Sequence, residues 1–408
     1  MLTFDRRWVL AGAAGLIVLA LIAIVALRIL GEHGNTNSYA MLAEAFRLGR
    51  LDVPRCFDVD CASYAGKTWV VFPPAPALIA LPFVAWFGTA FAGFIAVGAA
   101  MTALTLWLWW RVFAKLGLER EHALWLLAAI AFATPLYYVT IRADGVWSFA
   151  QVAGMLFLTG AIHEAIHQRL VTAGIALGLA FLSRQMLLLQ APFLFALALR
   201  PEERLISFGR DHVRRALALG IPILAAIAVY LIYNAVRFGN PLDTGYGYIT
   251  AGADPDKIGM ITHRITDIGL FSSKYLTFNT LYLLVQGFHV DFVGKYMTEL
   301  GKLDAAGTSI LAASPFVLLA FFAPMRRDLV VGLLCAAVII GITLLYHSNG
   351  YTQYNVQRYT LDWLPAIFIA LALGPVREHA GAFRLLVVYA LALNAVTMLL
   401  LRLTVPAA

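Results

Sequence analysis

Apolar runs long enough to cross a bilayer recur along this sequence, and no other feature limits its possible folds so strongly. A helix needs about 20 mostly apolar residues to span the hydrocarbon core. The stretches 8–30, 90–113, 122–141, 145–162, 216–236, 309–325, 329–346, 360–375 and 383–403 read as such spans. Inside lipid each backbone polar group must be satisfied within its own segment, so the expected fold class is an all-α polytopic membrane protein. Composition agrees: 61% of residues are hydrophobic and 13% charged, against about 25% charged in soluble domains. No long polar block interrupts residues 1–408, which read as a single transmembrane domain. The first run is longer than a signal-peptide core and lacks an A-x-A exit, so it reads as a retained helix.

Two stretches fit the length rule poorly. Residues 72–87 are apolar but short and carry Pro73, Pro74, Pro76 and Pro82. Residues 170–199 are too long for one span and are interrupted by Ser183-Arg184-Gln185. Positive charge collects on the cytoplasmic side of membrane proteins. If 72–87 lies at the interface and 170–199 forms a hairpin of two short helices, the arginines of 200–215 join Arg6, Arg7, Arg111, Arg326 and Arg327 on that side. The expected topology is about eleven spans, with the N-terminus inside and the C-terminus outside. Two outer regions carry interfacial helices, 31–89 and 237–308. The net charge of +7 follows from this arrangement. No basic run with interleaved aromatics lies on a soluble face, so nucleic acid is not an expected partner.

The first outer loop concentrates carboxylates: Glu32, Glu44, Asp52, Asp58 and Asp60. Such acids, held between spans, suit general-base chemistry on a substrate carried by membrane lipids. Asp58, Asp60 and Glu32 are the catalytic candidates. Glu44 fits the polar face of an amphipathic helix over 37–49. Cys56 and Cys61 bracket the two aspartates; outside the membrane they are a disulfide candidate that would hold a carboxylate in place. Cys335 lies in an apolar run and reads as a small core residue.

Arg184 is the sharpest intramembrane signal. A helix over 170–182 rises only ~20 Å, short of the ~30 Å core. The turn at Arg184 is therefore expected below the outer surface, where an ionisable residue marks a functional site by default. A guanidinium suits phosphate oxygens; the bland alternative is an arginine snorkelling to the interface. Residues 351–365 interleave polar and aromatic side chains, and Tyr351, Gln353, Arg358 and Tyr359 are candidates for holding a sugar and a phosphate. The alternative there is an aromatic belt with an Arg358–Asp362 helix pair. Arg142 and Asp144 flank an outer turn, where they bind a head-group phosphate or cap the next helix. His163 and His167 have metal-like spacing, but beside Glu164 and Arg169 a solvated helix end accounts for them better. No convincing metal cluster appears.

Taken in order, these pieces resemble a known family. One span is followed by an acidic outer loop, then "FPPAPALIALPF", "GLAFLSRQ", "YNAVRFGNPLDTGY" and "QYNVQRYTLDWLP". The set resembles the bacterial family-39-like members of the GT-C glycosyltransferase superfamily, relatives of protein O-mannosyltransferases and aminoarabinose lipid A transferases, over about residues 8–375. The resemblance implies a polyprenyl-phosphate-linked sugar donor and a lipid, glycan or protein acceptor. It implies an inner-membrane enzyme whose cavity faces the periplasm or exterior, with an acid of the first outer loop as base. By position, Arg184 and Arg358 look like the family's carrier-phosphate contacts. No cofactor is required, and a divalent metal is optional. The sequence departs from the family at one point. Many relatives place an Asp, often Asp-Glu, shortly after the first span, where this chain reads Gly34-Asn35-Thr36-Asn37-Ser38. That leaves Glu32, Asp58 or Asp60 as the base. A transporter or flippase for a lipid-linked glycan would spread ionisable residues along the whole path, whereas here they cluster outward. A non-catalytic partner in glycan assembly, with Asn35 and Asn37 marking a decayed site, is the remaining alternative.

Overall fold

The structure is a computed structural model and describes residues 6–58, 60–200, 202–249, 260–350 and 354–404. Helix dominates. In chain order the elements are α1 (Arg6–Leu30), α2 (Ser38–Arg47), β1 (Cys61–Tyr64), β2 (Lys67–Val70), α3 (Ala75–Phe87), α4 (Phe94–Lys115), α5 (Arg120–Phe132) and α6 (Pro135–Ile141). Next come α7 (Val146–Ile166), α8 (Leu170–Phe181), α9 (Ala191–Ala198), α10 (Arg210–Phe238), α11 (Met260–His263), α12 (Leu276–Thr280), β3 (Val290–Val293) and β4 (Glu299–Leu303). The chain closes with α13 (Ile310–Ala313), α14 (Arg327–Leu344), α15 (Leu364–Ala372), α16 (Pro375–Glu378) and α17 (Ala380–Thr404). The strands make two small antiparallel hairpins.

Among the described residues six helices are long and apolar enough to cross a membrane: α1, α4, α7, α10, α14 and α17. The pair α5 and α6, bent by 52° at its break, makes a seventh if counted as one span. This is a membrane-embedded helical protein, with fewer regular spanning helices than the apolar runs suggest. Three runs are not single straight helices. The run 122–141 breaks between α5 and α6; 309–325 is α13 followed by a 3-10 segment, Pro315–Phe322; 360–375 is a 3-10 turn, Arg358–Asp362, leading into α15. Pro135, Pro315 and Pro365 each sit in the first turn of the new segment. Proline has no N–H to give the preceding turn but is well placed at a helix start, so the chain restarts there. The run 170–199 is likewise divided, into α8, a 3-10 segment (Gln185–Gln190) and α9.

The chain forms two compact units: Met1–Leu27 with Trp109–Tyr138 and Ser273–Ala408, and Arg28–Leu108 with Val139–Ser272. In the second, α8 packs closely on α10. A Cβ on Gly174 would lie 2.4 Å from the Leu219 carbonyl oxygen, and one on Gly178 would lie 2.8 Å from the Ala226 Cβ. Gly174 and Gly178 thus form a G-x-x-x-G stripe that lets the two backbones approach, a common device where burial from water does not drive helix association. Next to it lies an apolar cluster of Ala75, Phe181, Leu182, Ala226, Tyr230 and Tyr233. The Ala75 N–H donates to the Leu182 carbonyl at 2.9 Å, which fixes the start of the proline-rich α3 beside the end of α8.

In the first unit the interruption between α5 and α6 frees carbonyls that side chains recover. Asn394 of α17 donates to the Phe132 carbonyl at 2.7 Å, and the Ser314 hydroxyl donates to the Ala133 carbonyl at 2.6 Å. Asn355 in turn donates to the Asn394 side-chain oxygen. A small polar cavity lies beside this chain, lined by Thr308, Ser314, Asn355, Asn394 and Thr397 among others. Trp109 meets Phe368 edge-on, with centroids 5.5 Å apart, in the core of the same unit.

Candidate functional site

The site is built on the first turn of α2. Asn37 is the N-cap: its side-chain oxygen accepts the Tyr39 N–H at 3.0 Å, and its amide donates to the Ala143 carbonyl at 3.1 Å. One side chain therefore caps the helix and docks it on the 142–145 turn. Asn37 is thus a buried structural amide, 1% exposed. Docking turns Tyr39 fully inward, against Phe72 and Phe149.

The loop after α2 is held in three ways. Cys56 and Cys61 are joined in a disulfide, with Cα atoms 6.3 Å apart. The Phe57 N–H donates to the Ser38 hydroxyl at 3.0 Å. The Asp60 N–H donates to Asp58 Oδ1 at 3.0 Å, an Asx turn inside the disulfide ring. The chain then enters the β1–β2 hairpin, whose two-residue turn places Ala65 and Gly66 at positive φ, 52° and 71°. Both central residues at positive φ match the right-handed twist of the strands.

The three candidate bases have different employments. Glu32 accepts the N–H groups of Phe94 and Ile95 at 2.7 and 2.9 Å, and so caps the start of α4. Burial raises its pKa, outweighing those two amides. Asp60 accepts the Trp147 indole N–H through Oδ2 at 2.6 Å. Asp58 keeps one oxygen uncommitted: Oδ2 is buried without a well-formed hydrogen bond. Burial pushes the Asp58 carboxyl above its ordinary value, against the opposing pull of Ser38 and the Asp60 amide.

Tyr39 has Asp58, Arg184, Tyr233 and Tyr246 as its electrostatic neighbours. Burial, then the nearby Tyr246 and Tyr233, hold the Tyr39 hydroxyl well above its usual range, while Arg184 pulls it back. The hydroxyls of Tyr39 and Tyr233 are both buried without hydrogen-bond partners. Buried polar atoms are rarely left unpaired, and where they are they need an explanation. Arg184 reaches this group because the chain is extended there, at φ −152° and ψ 117°, between α8 and the 3-10 segment. Its aliphatic stem passes over Gly154 of α7, where a Cβ would sit 3.4 Å from Cδ. The adjacent Gln185 donates to the Tyr230 hydroxyl at 2.8 Å and fixes the break against α10.

Arg237 closes the floor. It is 2% exposed and donates to the Val70 carbonyl at 2.7 Å and to the Asn234 side-chain oxygen at 2.8 Å, with its guanidinium 3.7 Å from the Tyr233 ring centroid. Its fork spends its donors on protein, so it is a brace between α10 and β2.

The other described sequence candidates have protein partners of their own. Asp144 pairs with Arg28 at 2.9 Å and with Arg142 at 3.7 Å, which makes it part of an ion cluster at the end of α1. Arg358 and Tyr359 belong to the first unit, where Arg358 donates to the Gly350 carbonyl and to the Tyr359 hydroxyl at 3.3 and 3.2 Å. Tyr351 and Gln353 lie outside the described residues. Among the described residues no group of three or more His, Cys, Asp or Glu is placed to hold a metal. His163 and His167 stack at 4.4 Å, with His163 Nδ1 on Glu164.

Sequence reasoning missed Tyr39, Tyr233 and Arg237. Asn37 directly before an apolar-periodic run was a legible N-cap signal. It would have placed Tyr39 in the first helical turn, though not its inward direction. No protein-family model matches this chain, and no curated protein or solved structure does either.

Proposed function

We propose that this chain is a membrane glycosyltransferase of the GT-C type. It moves a sugar from a polyprenyl-phosphate donor to a lipid, glycan or protein acceptor on the outer face of the plasma or inner membrane. The observation that carries the reading is Asp58: a half-buried carboxylate with one buried, unpaired oxygen and a raised pKa, which shares with Arg184 the neighbourhood of Tyr39, one of two tyrosines there with unpartnered hydroxyls. A base works best when its pKa is lifted toward the working pH. Arg184, another charged neighbour of Tyr39, would supply fixed positive charge where a phosphate carries developing negative charge. The order of sequence pieces across most of the chain supports the same reading.

In the reaction so inferred, Asp58 takes the proton of the acceptor hydroxyl. The acceptor oxygen forms a bond to the anomeric carbon as the bond from that carbon to the phosphate oxygen breaks. The electron pair leaves with the lipid phosphate, which Arg184 stabilises. With no enzyme nucleophile intervening, the configuration at the sugar carbon inverts. The full topology of this reading has about eleven crossings, the shorter apolar segments included, with the N-terminus in the cytoplasm and the α2 loop outside.

The test is transfer from radiolabelled polyprenyl-phosphate sugars to membrane acceptors by the purified chain. Asp58→Asn is expected to abolish transfer while folding normally, and Arg184→Ala to weaken donor binding by roughly tenfold or more, the worth of a lost charge-assisted bond. Full transfer by Asp58→Asn removes the base assignment. Absence of transfer by the wild-type chain across a broad donor panel removes the reading.

A further inference from the structure

The start of α10 sends its arginines in different directions. Arg215 turns toward the preceding loop. It donates to the two Glu203 carboxylate oxygens at 2.9 and 2.8 Å, and to the Ala198 carbonyl at the end of α9. Glu203 also accepts the Arg200 N–H at 2.7 Å, and Phe195 of α9 meets His212 edge-on with centroids 5.1 Å apart. The loop between α9 and α10 is thereby pinned at Glu203, against the first turns of α10. Arg204, Arg210 and Arg214 are exposed and take no part in these bonds. Among the described residues none of the three has a hydrogen bond or an ion pair.

Helical spacing says where Arg210 and Arg214 point. At about 100° per residue, Arg210, Val213, Arg214, Leu217, Ile221 and Leu224 fall on one face roughly 100° wide. All of them are exposed. Leu219, Ile223 and Ala226 stand on the opposite side, are buried, and share that side with the approach of Gly174 and Gly178. The exposed face of a spanning helix meets lipid. α10 has 29 residues, and at 1.5 Å per residue it runs about 43 Å, the thickness of a bilayer with its headgroups. Its first turns therefore lie at headgroup depth, and the apolar stripe below them runs along the acyl chains. The pinned loop adds Ile206 and Phe208, 74% and 93% exposed. Large apolar side chains held outward beside basic ones suit the boundary between headgroups and acyl chains, not water. Of the nearby acids, Glu203 is engaged by Arg215, Glu202 precedes it on the loop, and Asp211 lies about 100° round the helix from Arg210.

We propose that this face is a site for an anionic phospholipid. Arg210 and Arg214, with Arg204 beside them, hold the headgroup phosphate; Phe208 and the stripe from Val213 to Leu224 receive the acyl chains. Guanidinium groups match phosphate oxygens and keep their charge. The arginines select an anionic lipid over a zwitterionic one, and the stripe selects a lipid over a free phosphate. The same helix carries Tyr233 and Arg237 near its other end, so the bound lipid sets the depth at which they sit. The site holds whether or not the chain transfers sugar.

The full chain, purified in detergent, is equilibrated with an equimolar mixture of phosphatidylglycerol and phosphatidylcholine of identical acyl chains. The lipids it retains are quantified by mass spectrometry. Wild type is expected to retain an excess of phosphatidylglycerol. Arg210→Gln with Arg214→Gln, which alters exposed side chains only, is expected to lose most of that excess. Arg111→Gln with Lys115→Gln, the same charge change at the end of α4, is expected to keep it. In wild type the excess is expected to shrink as salt rises, because the screening length falls from about 10 Å at 0.1 M to about 3 Å at 1 M. It is also expected to withstand glycerol phosphate at the concentration of the lipid. Equal retention of the two lipids by wild type overturns the site. So does an excess that ignores salt, that survives in the Arg210/Arg214 variant, or that falls equally in both double variants. Displacement by glycerol phosphate overturns the lipid in favour of a soluble phosphate. A wild-type dimer that the Arg210/Arg214 variant dissolves overturns it in favour of a second copy of the chain. The salt and glycerol phosphate arms are read on wild type, so they decide the matter even if that variant fails to fold.

Discussion

The indole N–H of Trp147 donates to the Asp60 carboxylate at 2.6 Å, across 87 residues of sequence. This bond joins the disulfide-closed loop to the start of α7 and separates the roles of the two neighbouring aspartates. Asp60 holds the loop; Asp58, two residues earlier, keeps one buried oxygen without a hydrogen bond, as the proposed base requires. Trp147→Phe is expected to cost about 1.5–3 kcal/mol, the range for a hydrogen bond to a charged group. Asp60→Asn retains the acceptor oxygen and is expected to cost less. Thermal denaturation of both variants, compared with transfer rates, checks the division. An Asp60→Asn variant that folds normally but loses all transfer would give the base role back to Asp60.

Asp58 also makes a pH prediction whose sign is fixed. Burial raises its carboxyl in the folded chain, so the folded protein keeps that proton to higher pH than the unfolded one. Its contribution to stability is complete below the unfolded value and is lost as pH rises through the folded value. Asp58→Asn cannot ionise and escapes that loss. The variant is expected to be more stable than wild type at neutral and alkaline pH, with the two converging near the ordinary carboxylate pKa of about 4. Transfer by the wild type is expected to rise with pH along a limb above that ordinary value. Melting curves across pH check the first statement and a pH–rate profile the second; a stability gap that widens toward acid contradicts the assignment.

The divided run 170–199 and the helix over 37–49 were legible because length and periodicity are local properties. An extended Arg184 between two helices follows from a run too long for one span and interrupted by polar residues. The work of Glu32 was not legible, since the amides it caps lie 62 and 63 residues away. The same holds for Asp60 and Trp147. The stretch 122–141 reads as one span because hydropathy carries no direction, even though Pro135 stood in plain view. The G-x-x-x-G stripe was present in the letters of α8, but only the path of α10 shows which face it serves.

That stripe supports a packing prediction. Gly174 and Gly178 bring α8 against α10, and α10 carries Tyr230, Tyr233 and Arg237 into the candidate site. Gly178→Ala puts its methyl 2.8 Å from the Ala226 Cβ, and Gly174→Ala meets backbone at Leu219. A side-chain neighbour yields more easily than a carbonyl. Gly174→Ala is therefore expected to be the more damaging, by about 1–3 kcal/mol for overpacking, and Gly178→Ala the milder. Unfolding in denaturing detergent ranks the two; the reverse order would mean that α10 shifts as a body and not through side-chain adjustment.

The break between α5 and α6 is held open by side chains from outside it. With Pro135 in place the helix cannot close its ladder, and the Phe132 and Ala133 carbonyls must find donors elsewhere. Asn394 and Ser314 supply them. Asn394→Leu removes the donor to Phe132 and also the acceptor for Asn355, leaving two buried groups unpaired. Ser314→Ala removes one donor only. The first is expected to destabilise by roughly 2–6 kcal/mol and the second by about 1–3, at 1–3 kcal/mol per unpaired buried group. Thermal melting of the two variants ranks them, and equal losses would show that the Asn355–Asn394 link adds nothing to the hold on the bend.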